Sequence, residues 1–190
     1  MKKFILLLGY LILSSSVIAE EFPTGFWGIE FGAKKEDVIR IMSQKEGVEF
    51  AGDIDGSLIY EGGKWAGKSI STLYFEFYEG MMITATVVLE PSSERYVLTL
   101  FDDIVANLNQ KYYATKKIIK EFKPPFRAGD GHETLAIESD KTFFYAIWEF
   151  NYSQITVNVL KSMNVVVRYI DIVGKELLDK AEAEKNILDM

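Results

Sequence analysis

The 190-residue sequence predicts an α+β fold of two tandem helix-plus-antiparallel-sheet repeats sharing one sheet, with the helices on one face. Three observations carry that expectation. A hairpin pattern occurs twice: Leu73-Tyr74-Phe75-Glu76-Phe77 returns as Ile83-Thr84-Ala85-Thr86-Val87-Val88, and Ala146-Ile147-Trp148-Glu149-Phe150 returns as Ile155-Thr156-Val157-Asn158-Val159-Leu160. Every second residue is apolar, the two-residue period of a strand with one buried face. Each hairpin also follows an apolar stripe of helical spacing, and the stripes end alike, in Ser43-Gln44-Lys45 and Asn109-Gln110-Lys111. Elements that match in order as well as in letters read as duplication. The expected boundaries are a leader over 1–19, repeats over 20–92 and 93–172, and a closing helix over 173–190.

Phe26 to Phe31 reads as a short opening strand ended by Gly32. Val38, Ile41 and Met42 then stand at helical spacing within Ala33 to Lys45, and Gly47 is the stop. Val48 to Glu61 reads as a hairpin turning at Asp55-Gly56, a strong short-range turn signal. The first repeated hairpin follows, and Pro91-Ser92-Ser93 breaks it and offers a helix cap. Val97, Phe101, Ile104, Leu108 and Tyr112 form an apolar stripe in steps of three and four, the firmest helix signal in the chain. Lysine-rich Thr115 to Phe122 suits an edge strand, where charge discourages pairing with other chains. Glu133 to Glu138 reads as a strand leading into the second hairpin, and Asn164 to Asp171 as one more. Gly174 to Ile187 closes the chain as a helix with Leu177, Leu178, Ala181 and Ile187 on its apolar side.

The first nineteen residues have the layout of a secretory signal peptide. Lys2 and Lys3 precede apolar Phe4 to Leu13, and Val17-Ile18-Ala19 supplies small residues for cleavage. An apolar run of about ten residues is short of the roughly 20 that span a bilayer, and no later stretch crosses a membrane by length and apolarity. Removal leaves 171 residues, a length that buries roughly 70% of the extended-chain surface without staples. The chain contains no cysteine, so it has neither disulfides nor a cysteine-borne lipid anchor; a bacterial periplasmic or secreted location fits. Losing Lys2 and Lys3 takes the 21 cations to 19 against 28 acids, a net charge of −9. Nucleic-acid binding draws on Lys and Arg against phosphates, so this balance argues against it. Another envelope protein is the expected partner, with no cofactor, and the oligomeric state is open.

Residues that resemble chemistry have ordinary explanations. His132, the single histidine, lacks the second histidine or cysteine that zinc would need. Asp53-Ile54-Asp55-Gly56-Ser57 is spaced wrongly for a calcium loop, its glycine two positions early and its final glutamate missing. Asn151-Tyr152-Ser153 spells a glycosylation sequon that a bacterial envelope protein would not use. Glu76 and Glu149, matched between the hairpins, could serve a glycoside hydrolase only as a pair roughly 5–10 Å apart in a pocket that raises one pKa.

Alternation assigns each side chain to a face. Leu73, Phe75, Phe77, Ile83, Ala85, Val87 and Leu89, with Phe144, Ala146, Trp148, Phe150, Ile155, Val157 and Val159, are the expected core beneath the helices. The opposite face carries Tyr74, Glu76, Tyr78, Thr84, Thr86 and Val88, then Tyr145, Ile147, Glu149, Thr156, Asn158, Val166 and Arg168. Tyrosine covers apolar area while keeping a polar tip and is enriched at interfaces. A non-enzymatic protein-binding surface is therefore expected there, with Tyr74, Tyr78 and Tyr145 as anchors and Glu76, Glu149 and Arg168 orienting the partner. The alternative is a carrier for a small hydrophobic ligand such as a lipid, held in an apolar cavity between helices and sheet.

Three short stretches carry a resemblance. Gly28-Ile29-Glu30-Phe31-Gly32 leads into Lys35-Glu36-Asp37-Val38; Tyr74 to Met82 reads Tyr-Phe-Glu-Phe-Tyr-Glu-Gly-Met-Met; and Val167-Arg168-Tyr169-Ile170-Asp171 closes the sheet region. With the repeat, they resemble the β-lactamase inhibitor protein-like fold of secreted bacterial helix-plus-sheet domains. The first half is also similar to small outer-membrane assembly lipoproteins, without their lipidated cysteine. The disulfide cysteines of the inhibitor itself are absent, so lactamase inhibition is not carried over. What the resemblance implies is a sheet face that docks on another protein.

Overall fold

The computed structural model describes residues 22–113 and 115–188. The segment read as a leader, 1–19, lies outside them. In chain order the elements are β1 (Gly25–Phe26), β2 (Ile29–Glu30), α1 (Lys35–Met42), β3 (Val48–Ile54), β4 (Ser57–Gly62), β5 (Lys64–Trp65), β6 (Lys68–Tyr78) and β7 (Met81–Leu89). A 3-10 turn (Glu94–Tyr96) leads into α2 (Val97–Tyr112), followed by β8 (Lys117–Phe122), α3 (Glu133–Glu138), β9 (Thr142–Glu149), β10 (Ser153–Val159), β11 (Val165–Asp171) and α4 (Ile172–Leu188). The mixture of helices with one large antiparallel sheet makes this an α+β fold. Strands run in the order β3-β4-β6-β7-β11-β10-β9-β8, with β5 on β6. Among the described residues, no helix is long and apolar enough to cross a membrane.

Register shows how alternation builds the core. One inner row crosses six strands as Leu58, Phe75, Ala85, Tyr169, Ile155 and Trp148, and all six are buried. Val38 and Met42 of α1 join this core, as do Leu100, Phe101, Ile104 and Leu108 of α2. The spacing of three and four along α2 puts those side chains on one stripe, which is why the segment is helical and why it docks. Phe101 and Phe122 both meet Phe144 edge-on, at 5.8 and 5.4 Å between ring centres. At the far end of the sheet Tyr60 meets Phe75 edge-on at 5.9 Å, yet its hydroxyl is buried with no partner among the described residues. Burial alone pushes its pKa up. An unpaired buried hydroxyl costs about 1–3 kcal/mol, so Tyr60→Phe is expected to add about 1 kcal/mol of stability, seen as a higher midpoint of urea unfolding with an unchanged slope.

The structure differs from the sequence expectation in five places. The opening strand is two short strands: Trp27 (φ 54°) and Gly28 (φ 85°) reverse the chain, and Gly25 pairs with Glu30. Residues 133–138 form α3 instead of a strand, because Ala136 and Ile137 share a buried helical side while Leu135 is exposed. A one-residue irregularity between β6 and β7 pairs Glu76 with Thr84 and Phe77 with Met82. Met82 therefore takes the inner place expected of Ile83, and Ile83 is buried away from the main core, against Gly174 of α4. The two look-alike hairpins occupy different places, since β6-β7 adjoins the middle of the sheet and β9-β10 lies one strand further out. Finally, α4 starts against the outer side of the sheet: Lys175 lies near enough to Glu76 for that carboxylate to help hold its pKa up, behind the stronger bond to Asp179. Leu177 of α4 is exposed, Leu178 and Ala181 are half-buried, and the side chain of Ile187 lies outside the described residues.

Candidate functional site

Two surfaces stand out, and the outer sheet face is the larger. One row runs Ile59, Tyr74, Thr86, Arg168, Thr156, Ile147, Lys117 across the sheet, and the next runs Thr72, Val88, Val166, Asn158, Tyr145, Ile119. Tyr74 is 36% exposed, Tyr78 and Tyr145 are half-buried, and Arg168 and Glu149 are exposed. Phe143 stacks on Tyr145, with rings 5.9 Å apart and 13° from parallel. Thr86, Thr156, Ile147 and Val166 are buried between these larger side chains, so the middle of the face is drier than a solvated sheet. Burial first, and the charge of Glu149 second, push the Tyr145 phenol up, while Gln154 and Arg168 pull the other way. Arg168 has no carboxylate partner among the described residues.

The matched glutamates share a row but are not a pair. The row runs Glu76, Thr84, Ile170, Gln154, Glu149, so four strand-to-strand steps separate them. At about 4.8 Å per step that is roughly 19 Å, twice the roughly 10 Å upper limit for two glycosidase carboxylates. Glu149 is engaged by Lys116 instead, and Glu76 sits by α4. Tyr74 and Tyr145 are likewise four strands apart on the one face.

The second surface is a cleft of about 440 Å³ where α2 ends beside the end of β9. Tyr112, Trp148 and Phe150 line its floor, and Phe22, Tyr113 and Tyr152 stand around it. Tyr112 and Phe150 pack tilted at 5.9 Å. The floor is braced by Asn109, whose Oδ1 accepts the Trp148 indole N–H at 3.1 Å and the Thr115 backbone N–H at 2.8 Å. The Lys116–Glu149 ion pair closes one side. Sequence reasoning assigned none of these six aromatics to a site. The available signal was weak: bulky Tyr113 and Tyr152 fall just past a helix and inside a tight turn, where small residues are commoner.

The remaining candidates are structural. His132 is exposed at the start of α3, with Asp130 Oδ1 accepting its backbone N–H at 2.8 Å. Backbone N–H groups of Arg127 and His132 hold the exposed Asp130 carboxyl below its usual pKa. Asp55 (φ 49°) and Gly56 (φ 85°) make the β3-β4 turn, and Asp53 pairs with Lys35 of α1 at 2.6 Å. Among the described residues no group of His, Cys, Asp and Glu could hold a metal ion.

Fold and site together define the class as an α+β protein with one broad antiparallel sheet, an open tyrosine-bearing face and an aromatic cleft at its edge. No family model matches the chain, and no curated protein or solved structure matches it.

Proposed function

We propose that this chain is an exported, non-enzymatic module that docks another bacterial envelope protein on the outer face of its sheet. The supporting observation is Arg168, an exposed guanidinium without a counter-ion, set in the row between Tyr74 and the strand that carries Tyr145. Arginine and tyrosine are the residue types that dominate binding energy at protein interfaces. Spacing favours a macromolecule over a small ligand, since the two tyrosines lie roughly 19 Å apart. A standard interface of roughly 800 Å² per partner is about 28 Å across and covers both. Tyr78 would extend the patch, and Glu76 and Glu149 would orient the partner at its margin.

The duplication belongs to the same reading. Each long helix-and-strand stretch has one pattern, α1 before the β3-β4-β6-β7 meander and α2 before the β8-β9-β10-β11 meander, and the last strands meet in mid-sheet. On this register β6-β7 corresponds to β10-β11, not to the look-alike β9-β10. Two such modules in the manner of β-lactamase inhibitor protein-like domains would leave one continuous face for contact.

The test is the double variant Tyr74→Ala/Tyr145→Ala. Neither ring belongs to the main core, so unfolding stability should fall by no more than about 1.5 kcal/mol, the scale of one aromatic pair. Pull-down of the envelope partner by the full chain should be lost. Undiminished capture by the folded double variant would overturn the reading.

A further inference from the structure

We infer that the aromatic cleft at the end of α2 is a binding site for a small, flat, largely apolar molecule, separate from the protein-docking face. Three observations converge on it. The rim aromatics are unusually exposed for their size, with Phe22 at 54%, Tyr113 at 48% and Tyr152 at 69%, while Tyr112 and Trp148 beneath them are buried. Solitary exposed aromatics need no explanation, but several around one concavity mark an interaction site. The volume, about 440 Å³, falls inside the roughly 300–1,000 Å³ range of small-molecule sites.

The backbone supplies the second observation. Tyr113 has φ 62° and ψ −164°, a region that suits glycine and carries strain for any residue with a side chain. That conformation gains no burial for the Tyr113 ring, which stays at the rim. It does place the Tyr113 carbonyl 3.4 Å from the Trp148 indole nitrogen, which shares its N–H between that oxygen and Asn109 Oδ1. The floor is therefore fixed in one orientation before any ligand arrives, and preorganisation of this kind reduces the cost of binding.

The third observation selects the ligand chemistry. The indole N–H is already engaged and Lys116 and Glu149 satisfy each other, so ring faces and edges make up most of what the cleft presents, with Tyr113, Tyr152 and Asn151 supplying polar groups among the lining residues. Recognition falls to ring stacking and edge contacts, which favour planar aromatic or polycyclic molecules. Glu149 is the one residue shared with the outer face, so the two sites can be tested independently.

The test uses the full chain and N-phenyl-1-naphthylamine, an uncharged aromatic probe that brightens on leaving water. A saturable one-to-one titration is expected. Phe22→Ala and Tyr152→Ala, both at exposed positions, should each weaken the probe at least about five-fold with unchanged circular dichroism and melting temperature. Tyr74→Ala should leave probe affinity as it was. No saturable binding by the parent chain, or affinity equal to the parent's in both rim variants, would overturn the assignment while leaving the docking reading untouched. Loss of the probe in Tyr74→Ala would place it on the sheet face and overturn the assignment as well.

Discussion

Phe75→Ala should lower the unfolding free energy by about 3–5 kcal/mol, whereas Tyr74→Ala, one residue earlier on the same strand, should cost less than about 1 kcal/mol. The magnitudes follow from the faces. Phe75 is fully buried and meets Phe26 at 6.3 Å and Tyr60 at 5.9 Å, so truncation removes transfer energy and leaves a cavity that the sheet cannot close. Tyr74 lies on the outer row, between Ile59 and Thr86, and is partly hydrated before any change. For a chain of this size a deficit of 3–5 kcal/mol moves the melting temperature down by roughly 10 °C. Thermal scans of the two single variants measure the contrast directly, and similar losses would mean that residues 74 and 75 do not face opposite ways.

That contrast is also where the sequence was most legible. Alternation in 73–77 and 146–150 puts the inner row in place because side-chain period two leaves no freedom once one face must be dry. The α2 stripe was equally readable: a helix expected over Glu94 to Tyr113 is a 3-10 turn over Glu94–Tyr96 followed by α-helix over Val97–Tyr112, one residue short at its end. Failures came where tertiary packing outweighed local pattern. Residues 133–138 have neither a cap nor length to announce a helix, and only the burial of Ala136 and Ile137 settles the matter. Ile83 was misplaced because an irregularity adds one residue to β7, and nothing in Met81-Met82-Ile83-Thr84 marks which residue is extra. The cleft was illegible for a different reason. Its aromatics come from position 22, from 112–113 and from 148–152, segments joined only by the closure of the sheet around the end of α2.

The look-alike hairpins show how letters and topology can diverge. Phe-Glu-Phe and Trp-Glu-Phe resemble each other because both strands bury one face beneath helices, a demand met by the same residue types anywhere in such a sheet. Strand order, which depends on connections, puts β10-β11 opposite β6-β7 about the centre. Composition reports burial, whereas descent would show in the order of elements.

Gly25→Ala is expected to be the second severe substitution, although alanine is small and the position is extended backbone. β1 and β2 approach so closely that a Cβ at Gly25 would overlap the Ile29 carbonyl oxygen and the Glu30 Cα. Those are backbone atoms and cannot swing aside, so the little hairpin must open. Opening it withdraws Phe26 and Ile29, both buried, from the core; each contributes about 1.5–3 kcal/mol on burial. Phe26 is also the ring that ties the hairpin to Tyr169 at 5.2 Å and to Phe75, so the loss reaches the middle of the sheet. Gly28→Ala is the informative neighbour. Its φ of 85° disfavours a side chain, but open space surrounds the added methyl, so a cost of only about 1 kcal/mol is expected. Urea unfolding of the pair should therefore rank Gly25→Ala well below Gly28→Ala in stability. The reverse order would mean that turn conformation, and not the close crossing of β1 and β2, holds the hairpin on the core.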